Sequence, residues 1–452
     1  MNGEPGRLPV IWLAAAAMLL AVAGNFVFLA LDQSRQFEGY DQESYQVLLT
    51  RLARPAPVSF TAGVRDWGYQ YSLLYLPVMR LGRWCGPARP LLFVMPMLGL
   101  ALMLWCAWLL AARLGGATAG WLAAAALSLS PFAYGLARKF DAWTLTMGLY
   151  LALVYAVMRY AARPTWPRAL GVGLLAALGL SAAHDPTSLL LTTVYTAGPI
   201  AWAMGVALTA RGQPAWKRVT HLALMLAAPF VWYDVFWLGA GLAHGYVGYL
   251  SNESRIAGAQ VDWLSSLGGY PAACWRELLG PVGAGLFLVG GAAFAWLRRR
   301  RVHLVWLILP LGALLALSAI PKKNPWYILD ALTLLPVLAA VALAGVLNRL
   351  SARKGFILAA VLLGALVTQY VCALFLPLPF GRWLDDYHRR TMQASEDAAP
   401  PIFRALTPPT PRANGAAIDP PRSFNPVAPR LVSGLTGLTI QPTKPKSLRA
   451  PG

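Results

Sequence analysis

The chain has 452 residues, is 58% hydrophobic and only 12% charged, and has a mean hydropathy of +0.53, too little polar surface to cover a water-soluble core of that size. Its apolar residues fall in runs of about 18–24 rich in Ala and Leu, the length of helical membrane spans, and not in the short alternating segments of a barrel. The formal net charge of +20 does not call for nucleic acid, because Arg and Lys collect in short connections and in the C-terminal tail. The expected class is all-α: a polytopic integral membrane helical bundle of about eleven spans. The four cysteines, Cys85, Cys106, Cys274 and Cys372, are dispersed without metal-ligand spacing and read as apolar fillers. The 18 Trp and 17 Tyr suit interfacial belts.

Residues 8–31 form the first apolar run. It is long and lacks a small-x-small cleavage site, so it reads as a retained span with a cytoplasmic N-terminus. An outer loop follows over residues 32–89, carrying the acidic stretch Glu38, Asp41 and Glu43 at its start. Within the loop, residues 69–84 are apolar but short and hold Arg80 and Arg83, which predicts a juxtamembrane helix lying in the interface. Further spans are expected near 90–112, 117–134, 141–160, 168–184, 187–209, 220–238, 279–297, 303–320, 326–346 and 355–377. Counted this way, the connections at 113–116, 159–168, 211–218, 298–301 and 348–354 fall inside, and nearly all are Arg-rich. A full span at 69–84 would flip every later loop and put the arginines of 298–301 outside, against the charge bias. The membrane domain is thus expected over 1–377, with a long outer loop at 239–278. Residues 378–452 read as a Pro-rich, basic, extracytoplasmic and mostly disordered tail.

Four constellations fall on the predicted outer face, an integral-membrane site on the extracytoplasmic side. Asp41-Gln42-Glu43 is an acid-x-acid pattern directly after the first span, able to supply a general base and a second carboxylate for orienting a substrate or a cation. A solvated acidic loop is the alternative. Arg138-Lys139-Phe140-Asp141 puts cations on an outside loop against the topological bias, although Asp141 also suits a helix N-terminus. His184-Asp185-Pro186 joins two spans at membrane level, where ionisable groups are functional candidates, while Asp followed by Pro also starts a helix. Pro321-Lys322-Lys323-Asn324-Pro325-Trp326-Tyr327 places two lysines outside, suited to a phosphate or to lipid headgroups. The aromatic residues of the 239–278 loop can stack sugars or anchor the loop. No GxGxxG, Walker A, HExxH, GxSxG or Cys/His zinc spacing occurs.

The order and common sidedness of these motifs resemble the GT-C superfamily of polyprenol-dependent glycosyltransferases, nearest the branch of protein O-mannosyltransferases and lipid A aminoarabinose transferases. The resemblance runs over roughly residues 8–345. It rests on Asp41 to Tyr45, the Tyr-rich segment from Trp67 to Tyr75, Ser130-Pro131 with the 138–141 turn, and Lys322 to Leu329. It implies a polyprenyl- or dolichyl-phosphate-linked sugar donor, a lipid, glycan or protein acceptor, and transfer with inversion on the outer face. Asp41 would be the general base, with Glu43 and Asp141 positioning substrate or holding an ion. Arg138, Lys139, His184, Lys322, Lys323, Tyr327 and Tyr69 would line the lipid-phosphate site. No organic cofactor is implied, and a divalent cation stays open. The chain departs from the family pattern at His184-Asp185, where relatives often have Lys-Gly, and at Asp330, where a Pro is usual. The alternatives are a transporter or flippase of lipid-linked saccharides, which would call for broken midplane helices in paired halves, and a non-catalytic membrane relative.

Overall fold

Runs of Ala, Leu, Gly and Val that satisfy their own backbone hydrogen bonds are the natural way to cross a bilayer, and such runs build every long helix here. The computed structural model describes residues 7–31, 94–137, 143–182, 186–210, 212–232, 274–297, 301–318 and 325–375, and the account below concerns these. The helices in chain order are α1 (Leu8–Leu31), α2 (Val94–Gly115), α3 (Ala117–Ser128), α4 (Pro131–Ala137), α5 (Trp143–Ala162), α6 (Trp166–Ser181), α7 (Pro186–Thr209), α8 (Ala215–Trp232), α9 (Gly280–Leu297), α10 (Arg301–Ser318), α11 (Leu329–Leu347) and α12 (Ala352–Phe375). No strand occurs among the described residues. The chain is an all-α, multi-pass integral membrane protein. The acidic stretch at 38–43, the segment at 69–84, the outer loop from 239 to 273 and the tail from 378 lie outside the described residues.

Helices occupy the place of each of the expected spans, and among the described residues fewer than eleven of them have the length and apolarity to cross alone. Among the described residues seven helices are long and apolar enough to cross alone: α1, α2, α5, α7, α9, α11 and α12. An eighth is reached if α3 and α4 together form one span, and these are bent by 64°. Helix α6 is only 16 residues, and α8 begins with Lys217, Arg218 and His221, so the described residues by length and apolarity do not confirm eleven. The bend in the third expected span follows from local chemistry. Pro131 cannot donate to the preceding turn, and the Ser128 and Ser130 hydroxyls donate back to the carbonyls of Ala125 and Ala126, at 2.9 and 2.8 Å.

Helix α11 is the axis. Its span is 72% buried, against 28% for α1 and α9, and it packs against α9, α3, α2, α10 and α5. Lipid offers no hydrophobic gain for bringing helices together, so close approach of small residues must supply the packing. A Cβ on Gly99 of α2 would lie 2.5 Å from the Leu145 backbone nitrogen of α5, so those backbones nearly touch. The Thr144 hydroxyl of α5 donates to the Pro96 carbonyl of α2 at 3.1 Å. Helices α2 and α5 therefore run parallel, starting at one end of the bundle. Gly116 (φ 87°) forms the single-residue link from α2 to α3, a left-handed conformation that glycine adopts without strain. Exposed Trp12, Val289 and Ile308 lie on the outside of the bundle, while the buried core runs through Leu110, Leu127, Phe132, Leu334 and Phe294.

Candidate functional site

The ends from which the candidate segments emerge are braced by buried polar contacts. A 3-10 turn at Pro325–Ile328 leads into α11. The Tyr195 hydroxyl of α7 donates to the Tyr327 carbonyl, fixing that turn to α7. The Tyr150 ring of α5 meets the Tyr195 ring edge-on, with centroids 5.5 Å apart at 61°. Asp330 follows in the first turn of α11, where the helix dipole favours a carboxylate. It is 3% exposed, and its Oδ1 has no hydrogen-bond partner among the described residues. The Thr333 hydroxyl donates to the Asp330 backbone carbonyl at 2.6 Å, a bond that does nothing for the carboxyl group. Three helices and a turn thus converge on one tyrosine-rich, carboxylate-bearing cluster.

A second brace closes the same region through α12. The Gln369 side chain accepts from the Val282 N–H at 2.9 Å and donates to the Leu279 carbonyl at 2.8 Å, which ties α12 to the entry of α9. Residues Cys274–Leu278, read from sequence as the last part of a loop, form a π-helical turn leading into α9. Tyr370 packs edge-on against Tyr134 of α4, with centroids 4.9 Å apart, and donates to the Ala21 carbonyl of α1 at 3.2 Å.

Of the candidate site residues, the structure describes Tyr327, which is buried in the core beside Ile328 and Leu329. Asp41, Glu43, Tyr69, Arg138, Lys139, Asp141, His184, Lys322 and Lys323 lie outside the described residues. The connections that carry six of them have described helices on either side: 138–142 joins α4 to α5, 183–185 joins α6 to α7, and 319–324 joins α10 to the 3-10 turn. Helix α7 begins at Pro186, as the Asp-Pro pair predicts. Among the described residues no group of three or more His, Cys, Asp and Glu gathers as a cation site.

A scan against protein-family models finds no match, and neither does a search of curated proteins. Solved structures do match. ArnT from Cupriavidus metallidurans bound to undecaprenyl phosphate superposes with a TM-score of 0.51 at 16% identity, over 76% of this chain and 62% of that one. The Archaeoglobus fulgidus oligosaccharyltransferase in complex with Zn and sulfate gives a TM-score of 0.47 at 14% identity, over 83% of this chain and 56% of that one. The bundle has a GT-C-type fold. The chain spans about three-fifths of the length of the ArnT structure it matches.

Within this GT-C-type fold, Tyr150 and Tyr195 escape a reading by sequence. They look like interfacial aromatics, yet the described tyrosines at 134, 150, 160, 195, 327 and 370 are buried. The belt expectation holds instead for Trp12, Trp166, Trp216, Trp275 and Trp296, which are exposed. Buried Tyr in lipid needs a hydroxyl partner, and a Tyr inside a long apolar helix is the signal that could have pointed to the cluster.

Proposed function

We propose that the chain is a membrane glycosyltransferase that moves a sugar from a polyprenyl- or dolichyl-phosphate carrier to an acceptor hydroxyl on the outer face of the membrane, with inversion. The observation that carries the reading is the GT-C-type fold held in common with ArnT, whose structure contains undecaprenyl phosphate. The cation-bearing connections of this chain, with Arg138, Lys139, His184, Lys322 and Lys323, adjoin the starts of α5, α7 and α11. In the proposed reaction the Asp41 carboxylate takes the proton of the acceptor hydroxyl. The acceptor oxygen attacks the anomeric carbon from the face opposite the phosphate, and the bond from that carbon to the phosphate oxygen breaks. Its electron pair leaves with the lipid phosphate, whose charge Arg138, Lys139, Lys322, Lys323 and Tyr327 stabilise, with His184 and Tyr69 completing the site. Glu43 and Asp141 position the substrates or hold a divalent cation.

The test is incubation of the purified protein with a panel of polyprenyl-phosphate sugars and measurement of released polyprenyl phosphate. Release with one donor is expected, and Asp41→Asn should lower the rate by a factor on the order of 100 to 10,000, the usual contribution of a general base, without altering membrane insertion. No release with any donor overturns the reading. An unchanged rate in Asp41→Asn removes Asp41 from the base role.

A further inference from the structure

Among the described residues, the end of the bundle opposite the tyrosine cluster carries charge of one sign. Arg113 ends α2, Arg168 opens α6, Lys217 opens α8, Arg349 follows α11, and Arg353 and Lys354 open α12. These helix ends share one face of the protein. Gly115 abuts Val341 near the end of α11, and the Arg7 guanidinium, before α1, donates to the Leu350 carbonyl at 3.4 Å. On the same face the Arg168 guanidinium donates to the Arg159 carbonyl at 2.8 Å, and Tyr160 meets His221 of α8 at 2.9 Å. Among the described side chains the carboxylate is that of Asp330, in the turn that opens α11 at the other end, so none of them answers this charge. Exposed Trp166, Trp216 and Trp296 rim the same end and mark the level of a membrane interface, with the Lys217 ammonium 5.4 Å from the Trp216 ring.

Between the last turns of α9 and α11 this face opens into a cleft of about 230 Å³ lined by Phe294, Leu297, Val341, Ala342, Gly345 and Arg349. Its lining side chains are apolar apart from the Arg349 guanidinium, which forms no ion pair among the described residues and sits beside exposed polar atoms of the lining. We infer that this cleft binds an anionic phospholipid, its phosphate on Arg349 and the first part of a tail in the cleft beside Leu297 and Gly345; farther along, α9 and α11 close on each other at Gly290 and Ala339. A guanidinium pairs with phosphate through two parallel N–H donors, and basic pockets between spans attract acidic headgroups by the same charge. The absence of a side chain at Gly345 keeps the cleft open: a Cβ there would stand 3.7 Å from Leu297 Cδ1, so small groups fit and large ones fill it. The site lies at the far end of α11 from Tyr327, so it does not depend on the proposed transfer reaction.

The test is native mass spectrometry of the full chain after exchange into micelles containing phosphatidylglycerol, phosphatidylcholine or free glycerol phosphate. Retention of one phosphatidylglycerol in preference to the other two is expected. Arg349→Gln should weaken it roughly five-fold, as loss of one basic contact to an acidic lipid implies. Gly345→Leu should weaken it with the charge intact, and Arg163→Gln, on the same face away from the cleft, should not. Equal retention of phosphatidylcholine, wild-type retention in Arg349→Gln, or an equal loss in Arg163→Gln overturns the inference. Should Gly345→Leu unfold, Arg349→Gln still decides the matter, because Arg349 is exposed and its loss leaves the core intact.

Discussion

Tyr195 and Asp330 belong to one buried cluster and lead to opposite expectations. The Tyr195 hydroxyl donates to the Tyr327 carbonyl, so Tyr195→Phe removes that bond and should cost about 1 kcal/mol, the scale of a hydrogen bond between membrane helices. Asp330 presents a carboxyl oxygen with no partner, and its useful hydrogen bond runs through the backbone to Thr333. Asp330→Leu keeps that bond and removes an uncompensated polar group, so it should be neutral or stabilising. Reversible unfolding in mixed micelles measures both. A loss of stability in Asp330→Leu comparable to that of Tyr195→Phe would mean that the carboxyl has a partner in the folded protein. The sequence made Asp330 visible as a departure from the family pattern, but its burial depends on the packing of α11 against α5, α2, α3 and α9, elements far away in the chain.

At the scale of elements, helix identity was legible and helix geometry only partly so. Runs of Ala and Leu marked each helix because apolarity over a window of membrane length is a local property. Whether a helix crosses alone is not local: α6 and α8 are helical but short or charged, and neighbouring helices share their burial. The Ser130-Pro131 pair could have announced the bend between α3 and α4, since both residues disturb the preceding turn. Interhelical approach is likewise invisible in composition, as two glycines illustrate. Gly99 faces the α5 backbone at 2.5 Å for a built Cβ, whereas a Cβ on Gly171 of α6 meets nothing within 4 Å. Gly99→Ala should therefore destabilise by about 1–3 kcal/mol by forcing α2 from α5. Gly171→Ala should be neutral or gain up to about 1 kcal/mol from helix propensity. The same unfolding assay separates them, and equal effects would contradict the close approach of α2 and α5.

For the whole molecule the decisive asymmetry is electrostatic. Arg113, Arg168, Lys217, Arg349, Arg353 and Lys354 gather at one end of the bundle, and by the positive-inside tendency we propose that this end faces the cytoplasm. The proposed chemistry requires the other end, with the connections at 138–142, 183–185 and 319–324, to face outward, where those cations run against the same tendency. Single-cysteine labelling in intact cells tests this directly. Lys322→Cys should react with a membrane-impermeant maleimide added outside, and Arg163→Cys should react only after the membrane is opened. The natural cysteines give a low background, because burial pushes the Cys274 thiol up to about 12 and a neutral thiol is a poor nucleophile. Cys106 is buried within α2, and replacing Cys85 and Cys372 removes the others. If Arg163→Cys labels from outside and Lys322→Cys does not, the bundle is inverted. A donor-phosphate site at the 319–324 connection would then face the cytoplasm, and the extracytoplasmic transfer proposed here would fail even with the GT-C-type fold intact.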